Sequence, residues 1–253
     1  MQEATAVRTE ALRVRYGSRE VLRGVSLEVR SRRTTALIGP SGAGHSTLLD
    51  ALRNDSPPSA VVEGRIELLG HDLGDGDVDP LRLRQVVARL DQEPDPLPLS
   101  VMENVLFPWR LMTARGEQKR LAASVAEDAL RRVGLWKRVG DRLDAPAASL
   151  SLADQQRLCL ARLLPTRPEL LLLDQPTSHL DPESVRTVEE LIWELQSTTT
   201  ILLVTRDLAQ ARRVSAECAF LCEGRILEQG ATDAMFVTPR RQETADFIEG
   251  RIG

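Results

Sequence analysis

The 253-residue chain reads as an α/β protein, a mostly parallel β-sheet covered by helices, opened by an antiparallel β layer and interrupted by a helical insertion. Three observations carry this reading. A glycine-rich loop at residues 39–47, G-P-S-G-A-G-H-S-T, lies between a short β-rich run and a helical run. Strand and helix patterns alternate through the second half of the chain. Between these parts, from residue 101 to about 142, the apolar spacing is helical, with Leu121, Val125, Ala129 and Val133 on one face.

Taken in order, residues 11–16 and 25–29 alternate in strand fashion, with Gly17 and Gly24 as turn residues between them. Residues 34–38 form the β-rich run that leads into the glycine loop, and residues 46–53 continue as a helix. A strand at 64–69 precedes an acidic, turn-rich segment at 71–80, an apolar run at 86–90 and a proline-dense connector at 93–98. Beyond the insertion come helix 151–164, strand 170–174, helix 183–196, strand 200–205, helix 208–214 and a hairpin turned by Glu223 and Gly224.

Composition narrows the function classes. A formal charge of −4 and a pI near 5.6 argue against a nucleic-acid binder that relies on a broad basic face, because the many arginines are balanced by acids. Cys159, Cys218 and Cys222 form no CxxC pair and sit among apolar residues, as small buried hydrophobes in a reducing compartment do. His71 and His179 are too isolated to suggest a metal cluster. The wholly apolar run at 170–173 is far short of the ~18 residues that cross a bilayer, and the start M-Q-E-A-T-A-V-R lacks a signal-peptide core, so a cytosolic or peripheral protein is expected.

The glycine loop matches G-x-x-x-x-G-K-[S/T] at every position but one. In that pattern backbone N–H groups surround a polyphosphate, the Lys reaches its β/γ oxygens and the hydroxyl takes Mg²⁺. Here the Lys is His45, and the chain's two lysines, Lys119 and Lys137, lie far along the sequence. The strand–loop–helix context is the one a P-loop requires, and makes Gly39, Pro40, Ser41, Gly42, Ala43, Gly44, His45, Ser46 and Thr47 the candidate nucleotide-phosphate and Mg cradle. Loss of the Lys removes a charge-assisted hydrogen bond of about 1.5–3 kcal/mol, a ten- to hundredfold weakening. A histidine near its ordinary pKa of about 6.5 would restore part of it toward pH 6.

Four further segments follow in fixed order: Gln92 after a strand, L-S-L-A-D-Q-Q-R at 150–157, L-L-L-L-D-Q-P-T-S-H-L-D at 170–181 and V-T-R-D at 204–207. Together with the glycine loop they resemble the ATP-binding cassette (ABC) transporter ATPases, over the whole chain. The resemblance implies that Tyr16 stacks on adenine and that Ser46, Gln92 and Asp174 serve Mg. It puts Gln175 where the family carries the glutamate that polarises the attacking water, and Arg206 where a histidine contacts the γ-phosphate. It also makes Ser151, Leu152, Ala153 and Asp154 the signature segment, and Ser178 and Asp181 part of the loop that crosses a dimer interface. Residues 92–105, 158–162 and 247–253 look like those of the ATP-binding subunits of phosphate importers, which makes phosphate the implied cargo.

The departures from the family pattern set the functional expectation. Gln175 keeps the shape of a glutamate but cannot accept a proton, and losing a general base costs typically 10²–10⁴ in rate. Arg206 can clamp a phosphate but cannot accept a hydrogen bond. Leu152 and Ala153 replace glycines and block close backbone approach, while Asp154 is expected to add negative charge facing phosphate, although Ser151 and Asp154 also form an S-x-x-D helix cap. The resemblance thus implies the ATP-binding subunit of a phosphate-importer-like ABC transporter, binding nucleotide weakly and deficient in hydrolysis. It would be cytoplasmic or peripheral on the cytoplasmic face of the cell membrane, a homodimer or a heterodimer with another ATP-binding subunit. It would dock on membrane permease subunits through the insertion and the segment after Gln92, with no nucleic acid as partner. The alternatives are a non-transport regulatory nucleotide-binding pseudo-ATPase, or a slow ATPase energising phosphate import. One nucleotide-binding domain, 1–253, is expected, with 1–92 and 157–253 as β layer and RecA-like core and 93–156 as a helical subdomain that carries the signature.

Overall fold

The computed structural model describes residues 4–75 and 78–252, so residues 76 and 77 of the acidic turn segment and both extreme ends of the chain lie outside the described residues. Two long strands, β1 (Thr5–Tyr16) and β2 (Arg19–Arg30), pair antiparallel with Tyr16 opposite Arg19, so the turn between them is Gly17-Ser18. Gly24 is not a second turn residue: it lies within β2, at φ 87, where the register slips between the Leu12–Val25 and Arg13–Arg23 pairs. A β-bulge uses the same left-handed glycine conformation that the sequence presents as a turn signal.

β3 (Thr34–Ile38) enters the glycine loop, and α1 (His45–Leu52) leaves it. β4 (Ala60–Leu68) starts four residues before the expected strand and pairs with β1, and β5 (His71–Asp72) pairs with β4. α2 (Pro80–Val86) is a helix between the expected turn segment, which ends at Pro80, and the expected apolar run that starts at Val86. Asp79 caps it, accepting from the Leu81 N–H, and Pro80 stands at its first turn. β6 (Val87–Leu90) follows, then the helical region α3 (Val101–Met112), α4 (Arg115–Arg132) and α5 (Trp136–Val139). The chain ends with α6 (Leu152–Leu163), β7 (Leu170–Asp174), α7 (Pro182–Leu195), β8 (Thr200–Val204), α8 (Leu208–Val214), β9 (Glu217–Cys222), β10 (Arg225–Ala231), α9 (Thr232–Val237) and α10 (Gln242–Ile248).

The strands form two sheets. One is antiparallel with order β2-β1-β4-β5; the other has order β10-β9-β3-β8-β7-β6 and is parallel except for β10. Successive side chains of a strand point to opposite faces. Leu171, Leu173, Ile201 and Leu203 therefore pack against the helical region, while Leu170, Leu172, Leu202 and Val204 pack toward the antiparallel sheet and α1. Burial on both faces explains why β7 and β8 read as unbroken apolar runs. Cys159 is buried on the helical side and Cys218 in a separate cluster with Ala36, Ile38 and Phe220, and loss of solvent raises both thiols, Cys218 to about 12.

Register decides where the loops meet. Leu37 lies opposite Val204, Val204 opposite Asp174, and Leu173 opposite Leu90, so β3, β8, β7 and β6 finish side by side. The segments that begin at Gly39, Thr205, Gln175 and Asp91 all emerge at that one edge. Ligands of open α/β sheets bind at the carboxyl ends of the strands.

Candidate nucleotide site

A cleft of ≈ 390 Å³ opens at this edge, lined by Tyr16, Arg19, Val21, Ser41, Gly42, Gly44, His45, Ser46, Thr47, Gln92, Asp174, Gln175 and Arg206. Loop residues from four parallel strands that end in register meet here with Tyr16, Arg19 and Val21 of the antiparallel sheet. Gly39, Pro40 and Ala43 belong to the loop without lining the cleft, and Ala43 is buried beneath it. A Cβ on Gly39 would come within 2.0 Å of the Leu221 carbonyl oxygen, so only glycine lets the loop pass β9 this closely. The Gly224 N–H donates to the Ala43 carbonyl at 3.0 Å, and the Arg23 N–H to the Gly224 carbonyl at 2.8 Å, which pins the loop between hairpin and antiparallel sheet.

The donor set suits a hydrated divalent cation beside a polyphosphate. Ser46 Oγ donates to Asp174 Oδ2 at 2.9 Å, and oxygen donors from Ser46, Asp174 and Gln92 converge as hard-cation chemistry requires. Burial raises the Asp174 carboxyl, opposed by the Ser46 hydrogen bond and by the charge of Arg89. Arg89 itself is held by Asp50 and Asp91, so it is committed. Gln175 Nε2 donates to Gln92 Oε1 at 2.7 Å, joining the loops after β7 and β6. Its backbone is left-handed, φ 46, a strained conformation for a residue other than glycine.

His45 differs from expectation. Its Nε2 is buried and makes no hydrogen bond, and its pKa is lowered to about 4, first by desolvation and further by the charge of Arg206, against a hydrogen bond to the Ile38 backbone. In the nucleotide-free chain the ring is therefore uncharged at pH 6. Arg206 is exposed and makes no hydrogen bond or ion pair among the described residues. Behind it, Thr205 Oγ1 donates to Gln210 Oε1 at 2.9 Å, while Gln210 Nε2 donates to Thr177 Oγ1 at 3.1 Å and to Glu189 Oε1 at 3.3 Å. This buried network ties the loop that carries Ser178 to the loop that carries Arg206.

The signature residues lie away from the cleft of their own chain. Ser151 Oγ accepts from the Asp154 N–H at 3.2 Å, so the expected cap is present. Asp154 does not face outward toward a phosphate, however: it is 2% exposed, and its carboxylate takes Arg157 on one oxygen and Arg138 on the other, at 2.9 Å. Three residues along a helix bring Arg157 onto its side, and α5 supplies Arg138. Leu152 is 48% exposed instead. Asp181 caps α7 through the Glu183 and Ser184 N–H groups, and the Ser184 hydroxyl and N–H hold its carboxyl down to about 2.

Arg19 and Val21 went unrecognised as cleft residues. The available signal was the Gly17-Ser18 pair, a two-residue hairpin turn that sets residue 19 across from Tyr16.

Fold and cleft together define a P-loop nucleotide-site domain. The family model described as ABC transporter matches residues 22–178. The chain is 43% identical over 253 residues to the phosphate import ATP-binding protein PstB of Idiomarina loihiensis, covering 99% of this chain and 92% of that protein. It is 40% identical to PstB 2 of Lactiplantibacillus plantarum, covering 99% and 100%. Among solved structures, a bacterial Atm1-family ABC exporter with ATP bound superposes with a TM-score of 0.83 at 24% identity, over 100% of this chain and 42% of that one. A dimeric ATP-binding cassette in a post-hydrolysis state with ADP and Pi superposes at 0.76 and 24% identity, over 89% and 98%. The chain belongs to the ABC transporter family, among the relatives of the phosphate import ATP-binding proteins.

Proposed function

We propose that the chain is the ATP-binding subunit of a phosphate-importer-like ABC transporter, holding Mg·ATP weakly and hydrolysing it little. One observation carries the hydrolytic part. Among the described residues the cleft is lined by a single carboxylate, Asp174, which already accepts the Ser46 hydroxyl. At the position where a base would act stands an amide, and its N–H is given to Gln92. His45, with a pKa near 4, is too weak a base for work at neutral pH. Mg, when bound, would neutralise phosphate charge; Ser46, Gln92 and Asp174 would hold it.

Tyr16 would take the adenine and the loop at 39–47 the phosphates. The chain would act as a homodimer or with another ATP-binding subunit, on the cytoplasmic face of the membrane, and no helix of the described residues is long and apolar enough to cross a membrane itself. Docking on permease subunits is supported by Phe107 and Leu111, two exposed apolar residues four apart on one face of α3. Exposed Leu152 favours the second reading, a regulatory pseudo-ATPase used as an interaction platform, since an apolar side chain there suits protein contact better than phosphate.

Calorimetric titration with Mg·ATP, phosphate-release assay and sedimentation with and without Mg·ATP test the proposal. Expected are weak binding, no phosphate release above background and no ATP-dependent change of assembly. Turnover typical of an ATPase together with a monomer-to-dimer shift would reject the deficient reading in favour of a slow or ordinary ATPase.

A further inference from the structure

The P-loop lacks its cation, yet the cleft does not lack positive charge. Arg19 and Arg206 both line it, and neither makes an ion pair among the described residues. Arg206 stands at a position already assigned to the γ-phosphate by resemblance. Arg19 does not, and its placement follows from the hairpin alone. In the register of β1 and β2 it is directly opposite Tyr16, and opposed residues carry their side chains on the same face of the sheet, with Cβ atoms about 4.5–5.5 Å apart. Both side chains thus reach the same cleft, beside Gly42 of the glycine loop.

The neighbouring acids leave Arg19 available. Glu20 is taken by Arg13 at 2.7 Å, and Glu223, which shares the adjoining depression with Arg19 and Arg23, is not within ion-pair distance of either among the described residues. Arg89, the other arginine near Asp174, is held between Asp50 and Asp91. His45 presents a buried ring nitrogen without a hydrogen-bond partner. A permanently charged, planar group with five donors is well suited to phosphate oxygens, and unlike a histidine it stays charged across the physiological range.

We infer that Arg19 is a phosphate-binding residue of this cleft, supplying from the antiparallel sheet a positive charge that the glycine loop has lost at His45. The inference rests on the nucleotide-binding reading above and adds a residue and a charge source to it. Binding of Mg·ATP then depends on Arg19 and Arg206 more than on His45.

The test is titration of the intact chain with Mg·ATP, comparing wild type with Arg19→Ala, Arg19→Lys, Arg206→Ala and Arg23→Ala. Arg19 is exposed, so its replacement leaves the core untouched. Expected are about a tenfold or greater loss for Arg19→Ala, recovery to within about threefold for Arg19→Lys, and a change under about twofold for Arg23→Ala, which removes the same charge from just outside the cleft. If wild type binds and Arg19→Ala binds equally well, or if Arg23→Ala loses as much, the inference is overturned while the nucleotide reading stands. If wild type shows no binding at millimolar Mg·ATP, both fall.

Discussion

Replacing Asp154 with alanine should destabilise the chain severely, because the residue is an internal clamp. Its carboxylate joins α6 to α5 by accepting from Arg157, whose side chain is 7% exposed, and from Arg138, whose side chain is 56% exposed. Without it, Arg157 keeps one contact, from NH1 to the Gly134 carbonyl at 3.3 Å, while its Nε is already buried without a partner. Breaking a buried pair by removing one member costs about 3–5 kcal/mol, since an uncompensated charge is left inside. The half-exposed Arg138 adds about 0–1 kcal/mol at most. Against a total stability of about 5–15 kcal/mol the loss is large, and at roughly 2–4 °C per kcal/mol it lowers Tm by about 6–20 °C. Chemical denaturation of Asp154→Ala measures it, and the double variant Asp154→Leu/Arg157→Met should recover most of the loss. A cost below about 1 kcal/mol for Asp154→Ala would refute the clamp. Asp154→Gln, which rebuilds the family signature, removes the charge that Arg157 faces while keeping an acceptor, so repair of that segment should begin at Leu152 and Ala153.

Other outcomes follow from the cleft. The folded chain keeps His45 neutral down to about pH 4, whereas the unfolded chain protonates it near 6.5, so the unfolded state binds more protons between these values and stability falls on acidification through that window. The contribution is about 3 kcal/mol, and its disappearance in His45→Gln, seen by denaturation at pH 7 and pH 4.5, checks the assignment. Asp174→Asn should stabilise the nucleotide-free chain, on the order of 1 kcal/mol, by removing a buried charge while keeping an acceptor for Ser46, and should weaken Mg·ATP binding; an unchanged or lowered Tm would contradict it. Gln175→Glu sets a carboxylate against the Gln92 carbonyl oxygen in place of a donated N–H, so amide exchange across residues 91–98 should speed up in the absence of Mg. His45→Lys alone should tighten Mg·ATP binding without turnover, and family-like hydrolysis from that one change would show that Gln175 is not the missing base.

Much of this protein was decided by local chemistry. The glycine loop, the apolar runs of β7 and β8, the Ser151 cap and the Glu223-Gly224 hairpin are legible in sequence because each depends on neighbours within a few residues or on burial of a continuous segment. The order of the motifs points to the elements around one site. Boundaries failed where the same residue serves two purposes: Gly24 supplies a left-handed bulge instead of a turn, and Pro80 opens a helix at the end of a segment that reads as turns.

Charge was decided only by tertiary structure, since the state of an ionisable group depends on what the fold brings to it from elsewhere in the chain. Desolvation and Arg206 keep His45 neutral where its residue type suggests a histidine charging near pH 6. Arg138, from a different helix, turns Asp154 from an outward anion into a buried clamp. A two-residue turn and the pairing of β1 with β2 carry Arg19 to the glycine loop, although no motif marks it. Sequence determined which groups the chain has to offer a nucleotide; packing determined which of them carry charge and where that charge points, because Coulomb and desolvation energies are set by distance and burial in three dimensions.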